Sequence, residues 1–257
     1  MRRTKDEAER TREAILDAAE TLFYENGVAG TSLAQIASAA GLTRGAIYWH
    51  FSGKLDLLRD VADRARLPQE SFFRTANAEP PSVRELYDNT VEALAFLASD
   101  ERAQRVMTIL MFRCEYVGEM QPAMERRTSA DEEMRAVIAR IFHHSLSRRA
   151  MERGEGQPAC DPRAIASGYF CAVSGLIGEW LKSNRAFDLV DVGSRVLARL
   201  VADHLDTLPE VVLASCRHAS RHTLAPHAQP ASQSSIAPVA GSCCPPAATS
   251  SRRGRTG

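Results

Sequence analysis

Residues 31–51, TSLAQIASAAGLTRGAIYWHF, constrain the fold of this chain more than any other stretch. Ser32 is a helix N-cap residue just ahead of an apolar pattern, and Thr43 can cap a second helix over 44–51. Gly41, between the two, can adopt the positive φ that a tight turn requires. The stretch therefore predicts two short helices joined by a turn.

The second of these helices has aromatic residues on opposite faces. On a helical wheel, Ile47 and Phe51 share one side, whereas Arg44, Tyr48 and Trp49 share the other. An ordinary helical hairpin could have the same spacing of small residue, turn glycine and apolar plug. It would not be expected to turn a basic and aromatic face outward. The combination is typical of a DNA-binding helix-turn-helix, with 44–51 as its recognition helix.

The same stretch, with the preceding TREAILDAAETLFYENGVAG, resembles the N-terminal domain of the TetR family of bacterial repressors. The run TRGAIYWHF and the following KLDLL both fit that family. Further on, ILMFRCEYVGEM and FDLVDVGSRVLARLV resemble the ligand-binding part of its AcrR-like subgroup, the regulators of multidrug efflux pumps. The resemblance covers about residues 4–206. It implies an all-α fold, with a helix-turn-helix domain followed by a helical ligand-binding and dimerisation domain.

Apolar periodicity along the chain predicts eight to nine helices and no sheet. We place the DNA-binding domain at 1–53, the ligand-binding and dimerisation domain at 54–214, and a tail at 215–257. The tail is rich in Ser, Pro and Ala and is predicted to be disordered. Outside the helix-turn-helix, helices are predicted over 4–26, from about 54, and over 82–98, 101–117, 122–153, 162–183 and 188–208.

The outward face and the resemblance together predict which residues contact DNA. The N-terminal end of the recognition helix should approach base edges, and its later residues should hold phosphates. Lys54 begins a helix, where a cation opposes the helix dipole, and a nearby phosphate would resolve that conflict. The predicted DNA-binding residues are Thr31, Ser32, Thr43, Arg44, Gly45, Tyr48, Trp49, His50 and Lys54.

In the AcrR-like subgroup the ligand lies among the helices that correspond here to 54–75, 101–117, 122–153 and 162–183. Methionine-rich walls suit varied apolar ligands, although a methionine stripe at helical spacing also fits an ordinary core. Arg66 stands where related pockets often carry an acid. The predicted ligand-binding residues are Arg66, Phe72, Phe73, Met107, Met111, Phe142 and Phe170.

Residues 162–183 carry small side chains at three- and four-residue spacing, which allows another helix to approach closely. Such packing could occur within one subunit, but the resemblance implies a homodimer in which the last two helices pair across a two-fold axis. A dimer also suits DNA recognition, because one recognition helix contacts too few base pairs for specificity.

Composition restricts the class of protein. The chain has 44% hydrophobic and 25% charged residues, with 32 basic against 32 acidic side chains. No apolar run approaches the roughly 20 residues of a membrane span, and the charged N-terminus does not look like a signal peptide, so we expect a cytoplasmic protein without membrane contact. No catalytic constellation, phosphate-binding loop or metal motif is present, so we expect neither an enzyme nor a cofactor or metal requirement.

The sequence thus predicts a dimeric repressor that binds a palindromic operator and is released by small apolar or aromatic compounds, controlling a multidrug efflux operon. One alternative is a dimeric small-molecule-binding regulator that acts through protein contacts without DNA. Another is a redox or metal sensor that uses tail residues Cys216, His218, His222, His227, Cys243 and Cys244.

Overall fold

The computed structural model describes residues 5–65, 72, 80–154 and 160–204. Within these residues every regular element is helical, which confirms the all-α prediction. The nine described α-helices are α1 Lys5–Asn26, α2 Leu33–Ala39, α3 Arg44–Tyr48, α4 Lys54–Asp63, α5 Val83–Ser99, α6 Glu101–Thr108, α7 Gln121–Glu152, α8 Pro162–Lys182 and α9 Leu189–Val201.

Helices α1 to α4 surround one buried cluster, which we call the N-terminal core. The apolar stripe of α1 supplies Ile15, Ala19 and Phe23, all 0% exposed, at the four-residue spacing that the sequence predicts. Residues beyond position 53 also belong to this core, so packing continues across the predicted domain boundary. The core comprises Ile15, Leu16, Ala19, Phe23, Val28, Ile36, Ala37, Ile47, Phe51, Leu57, Leu58, Val61, Val106, Ile109 and Met120.

A second cluster, the C-terminal core, is formed mainly by α5, α7, α8 and α9. Burying each large apolar side chain contributes about 1.5–3 kcal/mol, so this cluster stabilises the four-helix arrangement. Ser82 and Glu85 form a capping box that begins α5, and these hydrogen bonds hold the pKa of Glu85 below its usual value. The large side chains of the core are Leu86, Tyr87, Leu94, Leu97, Ile138, Ile141, Phe142, Tyr169, Ile177, Trp180, Leu189 and Leu197.

The prediction of one continuous helix over 101–117 is wrong. Helix α6 ends at Thr108 and is followed by a π-helical turn, Ile109–Arg113, after which Cys114 is extended. The carbonyl of Leu110 in this turn accepts hydrogen bonds from the Tyr116 hydroxyl at 2.6 Å and from Arg127 Nη1 at 2.7 Å. Side-chain donors from outside the helix therefore satisfy the altered backbone. Turns of this kind are frequent at functional sites.

Two other boundaries also differ from the prediction. Helix α3 ends at Tyr48 rather than Phe51, because the backbone N–H groups of His50 and Phe51 both turn back onto the carbonyl of Ile47. Helix α9 ends at Val201 and continues as a short 3-10 turn, Ala202–His204. The remaining predicted positions, 205–208, lie outside the described residues.

Helix α8 is long and apolar enough, with a mean hydropathy of 1.3, to span a membrane by length and composition alone. One such helix is weak evidence for a membrane protein. Tyr169, Ile177 and Trp180 on this helix are buried in the C-terminal core, and the indole N–H of Trp180 donates to the carbonyl of Phe187 at 3.0 Å. These contacts indicate a core helix.

Candidate DNA-binding surface and ligand cavity

Helix α3 presents a basic and aromatic face to solvent. Thr43 caps the helix, because its hydroxyl accepts from the backbone N–H of Ala46 at 3.3 Å. Ile47 is 0% exposed and fixes the inner face in the N-terminal core, whereas Tyr48 is 50% and Trp49 89% exposed. Trp49, which directly follows the last residue of α3, therefore buries little of its ring against the described chain. The face is therefore available to a partner.

Two of the exposed side chains on this face are joined. Arg44 Nη2 donates to the hydroxyl of Tyr48 at 3.1 Å, and the guanidinium lies 5.7 Å from the centre of the tyrosine ring. The exposed Gly45 has no steric need to be glycine, since a Cβ there would meet only the Thr43 hydroxyl, at 3.9 Å. Glycine inside a helix costs about 0.5–1 kcal/mol relative to alanine. Its presence here leaves room for a partner to approach the backbone.

Among the predicted DNA-binding residues, Thr31 differs from the others in being buried. Its side chain is 1% exposed, and the hydroxyl donates to the carbonyl of Gly27 at 2.7 Å. Thr31 therefore holds the turn between α1 and α2, and its side chain does not reach the surface. The neighbouring Ser32 is exposed and forms a capping box with Gln35, in which each side chain bonds the other residue's backbone N–H.

A polar groove of about 490 Å³ lies between the start of α2 and the start of α4. Residues at both helix starts line it, Ser32 and Leu33 for α2 and Gly53 and Lys54 for α4. His50 is not among the lining residues; it is half-buried, with its ring centre 6.3 Å from that of Phe51. The groove is lined by Ala29, Gly30, Thr31, Ser32, Leu33, Ala34, Arg44, Tyr48, Ser52, Gly53, Lys54 and Glu119.

Lys54 is bound within the chain at the edge of this groove. Its ammonium group donates to the carbonyl of Val28 at 3.2 Å and lies 3.0 Å from Oε1 of Glu119. The side chain of Lys54 is 17% exposed and that of Glu119 is 62% exposed. The unfavourable interaction between the lysine and the dipole of α4 is thus offset by the carboxylate of Glu119. This ion pair was not predicted from the sequence.

A cavity of about 570 Å³ lies among α4, α6 and its π-helical turn, α7 and α8. Three predicted ligand-binding residues line it: Met107, Met111 and Phe170. The glycine at 178 lets α8 lie close to the π-helical turn, since a Cβ there would meet the Met111 methyl group at 3.1 Å. Other apolar lining residues are Leu55, Leu58, Val106, Leu110, Met134, Ile138, Val173 and Ile177.

Two further predicted ligand-binding residues, Phe142 and Phe72, are described and do not line the cavity. Phe142 is 0% exposed and packs edge-on against Tyr169, with ring centres 6.2 Å apart, so it belongs to the C-terminal core and its assignment is corrected. Phe72 packs against the same core and is not among the residues that line the cavity. Arg66 and Phe73 lie outside the described residues.

The cavity contains a buried hydroxyl pair that sequence reasoning missed. Tyr169 donates to the hydroxyl of Thr90 at 2.9 Å, and Thr90 donates to the carbonyl of Leu86 at 2.8 Å. Burial raises the pKa of Tyr169, so this tyrosine stays protonated at physiological pH. The sequence feature that could have indicated this pair is one polar residue within each of two apolar helical stripes, Thr90 in 82–98 and Tyr169 in 162–183.

Charged residues near the cavity balance one another. Arg127 Nη1 donates to the Tyr116 hydroxyl at 3.2 Å, in addition to the carbonyl of Leu110. Burial raises the pKa of Tyr116, although the adjacent guanidinium opposes that change. Three arginines and three aspartates line the cavity, which favours a neutral, largely apolar ligand: Arg59, Arg126, Arg127, Asp56, Asp63 and Asp131.

No group of three or more metal-ligating side chains occurs in the described part of the chain. Cys114, Cys160 and Cys171 are free thiols there, and burial raises the pKa of Cys114. A raised pKa disfavours the reactive thiolate. The tail cysteines and histidines of the sensor alternative lie outside the described residues.

Comparisons with known proteins agree with this arrangement. The family model described as "Bacterial regulatory proteins, tetR family" matches residues 15–61, and "MAATS-type transcriptional repressor, C-terminal region" matches 81–208. The chain is 43% identical to the transcriptional repressor BepR of Brucella suis over 78% of its length and 95% of that protein. It is 34% identical to AcrR of Shigella flexneri, over 73% and 86% of the two chains.

Solved structures of two multidrug efflux pump repressors are also similar to this chain. NalD, the secondary repressor of the MexAB-OprM multidrug efflux pump in Pseudomonas aeruginosa, matches with a TM-score of 0.63 and 36% identity, over 78% of this chain and 96% of that one. The complex of triclosan with SmeT, a Stenotrophomonas maltophilia repressor, matches with a TM-score of 0.62 and 29% identity, over 78% and 97%.

Proposed function

Because the chain belongs to the TetR family of bacterial transcription regulators, we propose that it is a ligand-released repressor of a multidrug efflux operon. It acts in the cytoplasm as a homodimer on a palindromic operator. It binds operator DNA through the exposed face of α3 and binds a small apolar or aromatic compound in the cavity below α4. The main support for this proposal is that Arg44, Tyr48 and Trp49 are exposed, whereas Ile47 on the opposite side is buried.

The roles of the exposed residues follow from where they lie on α3. Thr43, Arg44 and Gly45 are at its N-terminal end, which enters the major groove first and meets base edges. Tyr48 and Trp49 follow on the exposed face, where aromatic and hydroxyl groups can hold the phosphate backbone. Phosphate contacts orient the protein, and the base contacts select the sequence.

The surface of α8 and α9 supports a homodimer. Small side chains on α8 are exposed, at Ala164, Gly168, Cys171 and Gly175, so that a second helix could pack closely against them. On α9, two large apolar residues are exposed, Val196 at 38% and Leu200 at 45%. Exposed apolar residues one helical turn apart provide a surface that another helix can cover. A second copy would cover it and place two recognition helices on successive operator half-sites.

The ligand class follows from the cavity and from relatives. Methionines at 107, 111 and 134 can repack around different apolar shapes. The Thr90–Tyr169 pair offers hydroxyl oxygens as hydrogen-bond acceptors to an otherwise apolar compound, because both hydroxyl hydrogens are already donated. Relatives named as efflux-pump repressors, and the complex of SmeT with triclosan, support both the efflux operon and an aromatic ligand.

Release from DNA would be a two-state coupling between cavity and recognition helix. Leu55, Leu58 and Ala62 line the cavity on α4, while Leu57 and Val61 on the same helix pack in the N-terminal core. A ligand that moves α4 therefore moves the body that carries α3. The ligand shifts the equilibrium only by its differential affinity for the two states.

The two tryptophans allow both sites to be tested in one protein. Trp49 is 89% exposed on the DNA-binding face, and Trp180 is 4% exposed in the C-terminal core. Operator DNA selected from a random library should change the emission of wild type and leave Trp49→Phe nearly unchanged. Triclosan, as an aromatic probe, should still bind Trp49→Phe.

Coupling imposes a reciprocal requirement. Triclosan should weaken operator binding by the same factor by which operator weakens triclosan binding, typically about 5–150-fold. Two titrations, each repeated with the other partner saturating, measure both factors. If selection returns no bound DNA, the regulator acting through protein contacts becomes the better account. If DNA binds but no apolar compound alters its affinity, the ligand-release mechanism is wrong.

A further inference from the structure

We propose that Glu119 competes with DNA phosphate for the ammonium group of Lys54, and thereby sets the DNA affinity of the protein. The inference rests on the proposed function, since it takes the groove between α2 and α4 as part of the DNA-contact surface. It adds an acidic residue from the ligand-binding part of the chain to that surface. Glu119 thus acts on DNA affinity through Lys54, as a positioning residue.

The geometry of the groove carries the proposal. Glu119 is the acidic residue among the described residues that line it, and its carboxylate lies 3.0 Å from the ammonium of Lys54. Arg44, Ser32 and Ser52 line the same groove, so the surroundings otherwise suit an anion. A phosphate entering here would meet a lysine that is already paired and a carboxylate that repels it.

The pair is built so that phosphate can displace the carboxylate. Glu119 is 62% exposed, and an ion pair with an exposed partner is weak. Lys54 is only 17% exposed and keeps a second bond to the carbonyl of Val28, so it stays in place when the glutamate leaves. The lysine is therefore the fixed partner and the glutamate the exchangeable one.

Glu119 is also attached to the ligand cavity. It lies in the 3-10 turn Gly118–Met120, which leads directly into α7, where Pro122 and Ala123 line the cavity. Met120, 3% exposed, fixes the end of that turn in the N-terminal core. A ligand that shifts the start of α7 therefore shifts the carboxylate relative to Lys54. The competition can then respond to the ligand.

The test is a double-mutant cycle with Glu119→Gln and Lys54→Ala, measured against two DNA duplexes. One duplex is an operator selected from a random library by wild type, and the other has a random sequence. Glu119→Gln should tighten binding to both by the same factor, about two- to fivefold, because a phosphate contact is independent of sequence. In the Lys54→Ala background the gain should disappear.

Glu125→Gln is the matched control, because it removes the same charge from an exposed side chain whose described bond is to Gln121 at 3.2 Å. It should leave DNA affinity unchanged. Thermal melting of each variant checks that the fold is retained. Equal affinity of wild type and Glu119→Gln would overturn the inference while leaving the proposed function intact.

Two further outcomes would also overturn it. A gain that persists in the Lys54→Ala background would mean that Glu119 acts by general charge repulsion. Failure of wild type to bind any duplex would remove the proposed function and this inference together.

Discussion

The guanidinium of Arg105 donates a hydrogen bond to Oε1 of Glu20 at 2.9 Å and so joins α6 to α1. Glu20 is 3% exposed, and its other carboxylate oxygen lies 3.4 Å from Arg102 and 3.7 Å from Arg64. Arg64 caps the end of α4. One buried carboxylate therefore connects the first helix, the end of α4 and the helix that leads into the cavity wall.

Substitution Glu20→Gln should destabilise the protein. It leaves three arginines around a neutral amide, but Arg102 and Arg105 remain partly solvated, at 43% and 36% exposure. We therefore expect a loss of about 1–3 kcal/mol in the free energy of unfolding, less than for a fully buried pair. Urea unfolding followed by circular dichroism measures it.

The control for that substitution is Glu101→Gln. Glu101 faces the same Arg105 at 3.7 Å but is 85% exposed. Its replacement should change the unfolding free energy by less than about 0.5 kcal/mol. Equal losses in the two variants would show that burial of Glu20 does not matter.

Arg44→Ala should relax sequence preference. Loss of a specific base contact costs about 1–3 kcal/mol for operator DNA and much less for random DNA. Lys54→Ala should instead weaken binding to both duplexes alike. Fluorescence anisotropy with a selected operator and a scrambled duplex gives the ratio. An Arg44→Ala protein that binds its operator as wild type does would remove Arg44 from the base-contacting set.

The hydroxyl pair in the cavity should respond asymmetrically to removal of its members. Thr90→Val leaves the buried Tyr169 hydroxyl without its acceptor, which costs about 1–3 kcal/mol. Tyr169→Phe leaves Thr90 still donating to Leu86, so the loss should be only about 0.5–1.5 kcal/mol. Urea unfolding of both single variants and the double variant measures the difference. A larger loss in Tyr169→Phe would contradict the assigned direction of the bond.

Alkaline pH should destabilise the fold through two buried tyrosines, Tyr87 and Tyr169, and the half-buried Tyr116. Burial raises the pKa of Tyr87, Tyr116 and Tyr169 above the value of about 10 in the unfolded chain. A raised folded-state pKa gives stability that is complete below pH 10 and lost as the pH rises further. The urea midpoint should therefore fall above pH 10, and less steeply in Tyr169→Phe.

Absorbance of tyrosinate at 295 nm provides the direct check. Part of the ionisation of the five tyrosines should appear only as helical circular dichroism is lost. Complete ionisation with the helices intact would show that these side chains are not protected.

Local patterns predicted the fold and the exposed face, because burial of an apolar stripe is decided within one helix. Ile47 and Trp49 fell on opposite sides as their spacing required. The partner of Lys54 could not be found this way, since Glu119 is distant in the sequence and meets it only through tertiary packing. The burial of the Thr31 side chain could not be predicted for a related reason: a hydroxyl ahead of a helix can face solvent or hold the preceding turn.

The π-helical turn shows the same limit. Residues 109–113 have ordinary helical periodicity, and the altered backbone depends on Tyr116 and Arg127 reaching the carbonyl of Leu110. Both donors follow the turn in the sequence. The residues of the turn alone therefore do not predict these two hydrogen bonds.

The N-terminal core has a consequence for chimeric proteins. Val106, Ile109 and Met120 complete that core from helices that a cut at residue 53 would assign to the other partner. The backbone N–H of Val28 also donates to the carbonyl of Arg113 at 2.8 Å. A graft of residues 1–53 onto a relative would transfer the recognition helix without these three residues of the core on which it packs. Operator specificity should therefore be transplanted by changing the exposed face of α3 within the native scaffold.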